Sequence, residues 1–148
     1  MPGEEKQMSA YHEYEVEFTD RDALIAALQQ MNNRSGQQFT EGQIEVHETA
    51  QPLFGYAGKQ RAERANIIIR RQHVGGAAND VGFEQVGDKM VARISAYDRS
   101  HYNEGWMTRL KQEYGANVVE KKAEAKGYQV ERKRENGAIK MKLVRWTG

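Results

Sequence analysis

Residues 54–61 read Phe-Gly-Tyr-Ala-Gly-Lys-Gln-Arg, and residues 65–70 continue with the strongly β-prone run Ala-Asn-Ile-Ile-Ile-Arg. Three consecutive isoleucines favour a central strand that is buried on both faces. The glycines before them allow the backbone to turn tightly or to approach a partner closely. The sequence therefore predicts a glycine-rich loop, which we name the Gly55 loop (residues 54–61), anchored to the core by the strand that follows it.

Strand and helix patterns alternate on the N-terminal side of this loop. Apolar and acidic residues alternate over 11–18, which predicts a strand with one wet face. Thr19 or Asp20 is positioned to cap a short amphipathic helix that follows. A second strand is predicted around Ile44.

On the C-terminal side, turn signals separate further strands and a long helix. Residues 81–86 and 90–97 are predicted to continue the isoleucine strand as an antiparallel meander. Asn103 is a plausible cap for the main helix, and Gly127 stands where a helix commonly ends. The dipeptide Asn136-Gly137 predicts a tight turn between two final strands.

The order of these elements predicts an α+β fold, a mostly antiparallel sheet of six to seven strands with two helices packed on one face. Residues 1–8 are predicted to be a flexible leader, and residues 9–148 a single α+β domain. Its length of 148 residues is sufficient for one hydrophobic core.

Composition excludes several functional classes. The chain has no cysteine, so disulfides, thiol catalysis and cysteine-ligated metal are excluded. The net charge of +1 argues against a generic nucleic-acid binder. No apolar run is long enough for a membrane span, and the N-terminus lacks the pattern of a signal peptide. We expect a cytoplasmic protein that has no membrane partner and no sequence-specific nucleic-acid partner.

Catalytic and metal-binding patterns are absent from the sequence. No two of the four histidines have the i, i+4 spacing of a helical zinc motif. The pair Asp98 and His101 is better explained as a turn contact than as a catalytic dyad. The Gly55 loop lacks the Gly-Lys-Ser/Thr ending of a phosphate loop and precedes a strand, not a helix. We expect a protein that is not an enzyme and uses no cofactor or metal.

Binding chemistry is more plausible in the Gly55 loop. Tyr56 could stack on a base while Lys59 and Arg61 neutralise a phosphate, and Arg70 and Arg71 could extend this patch. The candidate ligand-binding residues are Gly55, Tyr56, Gly58, Lys59 and Arg61. The alternative is an ordinary hairpin loop with surface charges, in which Tyr56 lies at the edge of the core.

The C-terminal segment is a second candidate site because it is strongly basic. Residues 1–50 carry a charge of −7 (three cations, ten acids), whereas residues 119–148 carry +5 (nine cations, four acids). Such a segment could bind an acidic protein surface, or RNA, or could simply be the wet face of a strand. The candidate partner-binding residues are Arg132, Lys133, Arg134, Arg145 and Trp146.

Five short motifs, the last of them in two parts, resemble in order the pattern of a family typified by a hypothetical chloroplast reading frame of algae and cyanobacteria (domain of unknown function 1257). They are Phe-Gly-Tyr-Ala-Gly at 54–58, Asp-Val-Gly-Phe at 80–83, Tyr-Gly-Ala at 114–116, Gly-Tyr-Gln-Val at 127–130, Asn-Gly-Ala-Ile at 136–139 and Leu-Val-Arg-Trp at 143–146. The resemblance extends from about Met8 to the C-terminus. One departure is Phe54, since the family usually has arginine there; an anion site would then depend on Lys59 or Arg61.

The resemblance implies a small cytosolic or plastid-stroma protein of bacterial, plastid or phage origin, with no established catalytic activity. Bacterial members often neighbour an AAA-type ATPase, which implies an adaptor or accessory role. We therefore expect a non-enzymatic accessory protein that could act with such an ATPase, and alternatively a module that binds or sequesters an anionic nucleotide-like ligand. An edge strand over residues 11–18 or 139–146 could also form a homodimer.

Overall fold

The computed structural model describes residues 11–16 and 18–145, with the backbone alone for residues 12–16. The leader predicted for residues 1–8 lies outside the described residues. The strands are β1 (Tyr11–Val16), β2 (Ile44–Phe54), β3 (Gln60–Ile69), β4 (Val81–Val86), β5 (Lys89–Ser95), β6 (Tyr128–Glu135) and β7 (Ala138–Arg145). The α-helices are α1 (Arg21–Leu28), α2 (Arg71–Val74) and α3 (Glu104–Ala125), and 3₁₀ turns span Glu41–Gln43, Tyr56–Gly58 and Ala96–Ser100.

Five strands form one sheet in the order β1-β5-β4-β3-β2, and every neighbouring pair is antiparallel. The predicted α+β class, antiparallel sheet and β3-β4-β5 meander are confirmed. The prediction of a single sheet of six to seven strands is wrong, because β6 and β7 pair only with each other among the described strands. This pair, which we name the C-terminal hairpin, packs against α3. The sequence pattern predicts how many strands form, but it does not show which sheet each strand joins.

Local signals explain where the helices begin and end. Oδ1 of Asp20 accepts a hydrogen bond from the N–H of Ala23 (3.0 Å), so Asp20 caps α1 as predicted. Asn103 caps α3 in the same way through the N–H of Trp106 (2.9 Å). Gly127 follows α3 with a φ of +85°, a conformation that glycine adopts without steric cost.

The main core lies between one face of the sheet and the helices α1 and α3. Ile67, Ile69 and Phe83 of the sheet are fully buried in one cluster with Leu24 of α1 and Leu110 of α3. Burying such side chains stabilises the fold by about 1.5–3 kcal/mol each. The isoleucine run of β3 is buried on both faces, as predicted, and the one-turn helix α2 was not expected.

The second face of the sheet is covered by the hairpin of β2 and β3, which folds back over it. Leu53, Ala65 and Ile68 form a separate buried cluster there. A Cβ built on Gly82 of β4 lies only 2.5 Å from Cβ of Ala65. The folded-back hairpin and β4 are therefore in close contact, and only glycine fits at position 82 without displacing a neighbour.

Asn66 holds the bend of this hairpin. Its Nδ2 group donates to the carbonyl of His47 (3.1 Å) and to that of Glu48 (3.0 Å). Its Oδ1 accepts from the N–H of Gln85 (2.8 Å) on β4. The bend returns the Gly55 loop to the start of β4.

Candidate functional site

The Gly55 loop is held from behind by the two residues that precede β4. The N–H of Phe54 donates to Oδ2 of Asp80 (2.8 Å), and the N–H of Asp80 donates to the carbonyl of Phe54 (2.9 Å). The N–H of Tyr56 donates to Oδ1 of Asn79 (2.9 Å). The loop is therefore fixed by hydrogen bonds to groups that are themselves buried, which lowers the entropy cost of using it for binding.

Asp80 is the centre of this support, because its carboxylate is 1% exposed and has three donors. Arg70 Nη1 donates to it (2.8 Å), while Nε and Nη2 of the same side chain bind both oxygens of Glu45 (2.9 and 3.0 Å). Burial alone would lower the pKa of Arg70, but the hydrogen bonds to Glu45 and Asp80 outweigh it and raise that pKa. The side chain of Arg70 is thus used in intramolecular hydrogen bonds. It does not extend the basic patch of the Gly55 loop, contrary to what the sequence had suggested.

A second buried carboxylate, Asp98, supports the loop through Asn79. Oδ2 of Asp98 accepts from the backbone N–H (3.0 Å) and the Nδ2 group (3.2 Å) of Asn79, and Asp98 is 0% exposed. Its Oδ1 has no hydrogen-bond partner among the described residues, although Nη2 of Arg34 lies 3.6 Å away. Burial raises the pKa of Asp98 because desolvation disfavours its charged form.

The backbone of the loop requires small residues at two positions. A Cβ built on Gly55 lies 3.0 Å from Oδ1 of Asn79 and 3.2 Å from Cδ of Arg61, so this glycine permits a close approach. Gly58 has a φ of +76° and Ala57 a φ of +69°, which place both in the left-handed region. For alanine this conformation costs roughly 1–2 kcal/mol. The tight turn predicted for the glycines is present, whereas a close approach to a partner stays a prediction.

The exposed part of the loop presents an aromatic ring and a lysine. Tyr56 is 61% exposed, and Lys59 is exposed beside it in the chain. Nη2 of Arg71 lies 4.0 Å from the position of a Cβ on Gly58, so a third residue joins them. We name Tyr56, Lys59 and Arg71 the tip surface.

Arg61 does not point with this group. Its guanidinium lies over the ring of Tyr11, 5.3 Å from the ring centroid, where it supports the base of the loop. Burial raises the pKa of the Tyr11 phenol, whose hydroxyl donates to the carbonyl of Asp80 (2.8 Å). Tyr56 and Lys59 are thus both exposed in the loop, Arg71 lies near Gly58, and Arg61 lies over Tyr11. A ligand-binding role for these residues stays a prediction.

In the C-terminal hairpin, two of the candidate residues bind α3. Arg132 donates to Glu120 (2.6 Å), and Arg134 donates to Glu113 (2.6 Å), so both side chains hold the hairpin on the helix. Lys133 is 78% exposed, and among the described residues its one ion pair is a distant contact of 3.9 Å with Glu135. Most of the positive charge predicted to meet a partner is thus already matched within the chain.

Arg145 also has an intramolecular contact, since it donates to the hydroxyl of Tyr128 (2.9 Å) and lies over that ring. Trp146 lies outside the described residues. A partner-binding role for the hairpin stays a prediction.

Clefts occur elsewhere on the molecule. One of about 730 Å³ lies between α1 and α3 and is lined by residues such as Ala26, Asn117 and Glu120. Among the described residues, no three His, Asp or Glu side chains are grouped to hold a metal ion. Within the same part of the chain, no helix is both long enough and apolar enough to cross a membrane.

The fold and the site define a small α+β protein with an exposed basic loop that Asn79 and Asp80 hold from behind. The family model described as "Protein of unknown function (DUF1257)" matches residues 38–144. The match covers more than half of the sequence, so the chain belongs to this family, as the motif resemblance predicted. It includes the Gly55 loop and all of the C-terminal hairpin except its last residue, Arg145. No curated protein and no solved structure matches the chain.

Proposed function

We propose that the protein is a non-enzymatic accessory protein that binds an acidic partner protein through the tip surface. The observation that carries this proposal is the exposed ring of Tyr56 on a backbone that Asn79 and Asp80 hold in place. Tyrosine and arginine are enriched at the energetic centres of protein interfaces. A preorganised loop also loses little conformational entropy when it binds.

The charge of the tip surface favours an acidic partner. No hydrogen bond or ion pair joins the side chain of Lys59 or Arg71 to an acidic residue within the described part of the chain. The two nearby acids, Asp80 and Asp98, are buried behind the loop. Within the described part of the chain, the cations of the tip surface therefore have no acidic side-chain partner, and their charge would steer an acidic surface towards the loop.

An AAA-type ATPase is the first partner to test, because the family resemblance implies one. The Gly55 loop is a better candidate for contacting it than the C-terminal hairpin. Arg132 and Arg134 of the hairpin are occupied by acids of α3, whereas Lys59 and Arg71 are not occupied in this way. RNA binding by the hairpin has less support for the same reason.

The test measures binding of the purified protein to an AAA-type ATPase from the same genome, by biolayer interferometry. We expect Lys59→Glu with Arg71→Glu, and separately Tyr56→Ala, to weaken binding by at least about tenfold, or 1.4 kcal/mol. The matched control is Lys111→Glu with Lys122→Glu, which makes the same charge change on exposed residues of α3. If the two double variants bind equally well, or if the wild type does not bind, the proposal is wrong.

A second candidate function is capture of an anionic nucleotide-like ligand by the same surface. The exposed ring of Tyr56 could stack on a base while Lys59 and Arg71 contact the phosphates. A nucleotide that binds the folded state should raise the melting temperature, and Lys59→Ala with Arg71→Ala should abolish the rise. A broad nucleotide panel without any shift would reject this function.

A further inference from the structure

We propose that the chain forms a symmetric dimer in which β7 of each copy pairs, edge to edge, with β1 of the other. This interface uses strands that are separate from the tip surface, so it is independent of the proposed function. The argument rests on two strand edges that have no partner strand in the described part of the chain, and on their complementary charge patterns.

The first edge belongs to β7. Its pairing with β6 runs through eight consecutive residue pairs without a register shift. Asn136 and Gly137 form a two-residue turn with φ values of +51° and +76°. Such a turn is closed by a hydrogen-bonded pair, here Glu135 and Ala138. Because hydrogen bonding alternates along an antiparallel strand, the N–H groups of residues 139, 141 and 143 face away from β6.

These outward groups of β7 have no partner strand within the described part of the chain. A two-stranded sheet is marginally stable by itself, and a third strand would extend it. Leu143 is apolar but 49% exposed, so a paired strand would also remove part of its surface from water. On β6, by contrast, Arg132 and Arg134 reach across to α3. The available edge of the hairpin is therefore β7.

The second edge belongs to β1. It pairs with β5 over six consecutive residues without a shift, and no described strand pairs with its other side. The opposite edge of the same sheet, β2, is protected in two ways, since it contains Pro52 and its register with β3 shifts twice. β1 and β7 are regular strands that lack both protections.

Charge decides which of these edges pair. In β7, Lys140 and Lys142 alternate with apolar residues, whereas in β1, Glu13 and Glu15 do so. Opposite charges facing each other across paired strands attract, and like charges repel. Pairing of β7 with β7, or of β1 with β1, would place like charges together. Pairing of β7 with β1 avoids this, and two copies related by a two-fold axis make the contact twice.

The first measurement is the molar mass of the full chain in solution by light scattering during size-exclusion chromatography. The wild type should have a mass of about 34 kDa, twice the 16.9 kDa of one chain. A mass of one chain at about 100 µM, far above the dissociation constant of a stable dimer, would overturn the proposal.

The role of the charge pattern is tested by reversing the charges of β7 in one variant and those of β1 in another. Lys140→Glu with Lys142→Glu places acids on both strands, and Glu13→Lys with Glu15→Lys places cations on both. Each double variant should be a folded monomer, as circular dichroism checks. Their mixture should form a heterodimer, because the acidic β7 of the first variant then pairs with the basic β1 of the second. The unchanged β7 of the second variant pairs with the unchanged β1 of the first. A mixture that stays monomeric, or a double variant that still dimerises as strongly as the wild type, would overturn the pairing.

The backbone contact is tested at Leu143. Leu143→Pro removes one outward N–H and leaves the hydrogen bonds to β6 in place. It should weaken dimerisation at least about tenfold more than Leu143→Thr, which retains the N–H and the preference for strands. Equal dissociation constants for the two variants would show that β7 does not contribute backbone hydrogen bonds.

Discussion

The Gly55 loop and the C-terminal hairpin are both turns rich in cations, yet their charges have different roles. Behind the loop, Arg70 is paired with the buried carboxylate of Asp80, which is 1% exposed. In the hairpin, Arg132 and Arg134 lie on the surface of α3, with side chains 29% and 34% exposed. The number of basic residues in a segment therefore does not identify it as a binding site. The burial of their partners determines which cations hold the structure and which remain for a ligand.

The largest effect that this comparison predicts is at Asp80. Asp80→Ala leaves Arg70 without one acidic partner and removes the acceptor for two backbone N–H groups, those of Phe54 and Arg71. Loss of one partner from a buried charge pair typically costs about 3–5 kcal/mol. We expect a loss of that size in the free energy of unfolding, measured by urea denaturation. It should be accompanied by greater protease sensitivity at the Gly55 loop.

The control for Asp80 lies in the hairpin. Glu120→Ala removes the acid that accepts from Arg132 at the surface of α3. Exposed pairs of this kind contribute about 0–1 kcal/mol. If Glu120→Ala costs as much as Asp80→Ala, the distinction between the two regions is wrong.

A second prediction compares two glycines, Gly82 of β4 and Gly115 of α3. Gly82→Ala places its Cβ 2.5 Å from Cβ of Ala65 and 2.9 Å from Cδ2 of Leu53, where the β2-β3 hairpin folds back. Overpacking of this kind costs about 1–3 kcal/mol. Gly115 lies inside α3, and a Cβ built there meets nothing within 4 Å. Gly115→Ala should stabilise the protein by about 1 kcal/mol through helix propensity.

Melting temperatures and urea denaturation of the two alanine variants check this pair. The shifts should have opposite signs, down for Gly82→Ala and up for Gly115→Ala. A stabilised Gly82→Ala would show that the hairpin does not fold back tightly on β4.

Much of the fold could be predicted because it depends on local signals. These signals depend only on residues that are close together in the sequence. They are the isoleucines of β3, the caps Asp20 and Asn103, and the turn at Asn136-Gly137. The fold-back of β2 and β3 could not be predicted, because it depends on Asn66 bridging two distant strands. The separate sheet of the C-terminal hairpin could not be predicted either, because it depends on hydrogen bonds from the hairpin arginines to acids of the distant helix α3.

The candidate site could likewise be predicted only in the parts that depend on neighbouring residues in the sequence. Tyr56 and Lys59 could be identified because turn glycines flank them and leave them exposed. The different roles of Arg70 and Arg71 could not, because the two arginines are adjacent in the sequence. Only the positions of Glu45 and Asp80 in the folded chain turn Arg70 inward.

A third prediction concerns pH and the buried support of the loop. Burial raises the pKa of Asp98 above the ordinary 3.8, so the folded state holds the proton more tightly than the unfolded state. Stability from this group is therefore lost as pH rises from about 4 towards neutrality. Glu45 has the opposite sign, since the hydrogen bond from Arg70 lowers its pKa and its contribution is lost as pH falls.

The variant Asp98→Asn isolates the first effect, because it leaves Glu45 unchanged. We expect the wild type to lose unfolding free energy relative to Asp98→Asn between about pH 4 and pH 7. Urea denaturation of both proteins at several pH values gives this difference. A difference independent of pH would mean that Asp98 has no raised pKa in the folded protein.

The smallest effect on stability is predicted for Arg132 of the hairpin. Its dependence on salt should differ from that of Arg70 behind the Gly55 loop. Arg132→Met should cost less than about 1 kcal/mol, because the pair with Glu120 is exposed and its attraction is weakened by solvent. At 1 M salt, where the screening length falls to about 3 Å, the cost should largely disappear. Arg70→Met leaves Asp80 buried without its cation, so its cost should exceed that of Arg132→Met and persist at 1 M salt. Urea denaturation of both variants at low and high salt makes the comparison. If salt removes both costs equally, the carboxylate of Asp80 is accessible to solvent and the Gly55 loop has no buried support.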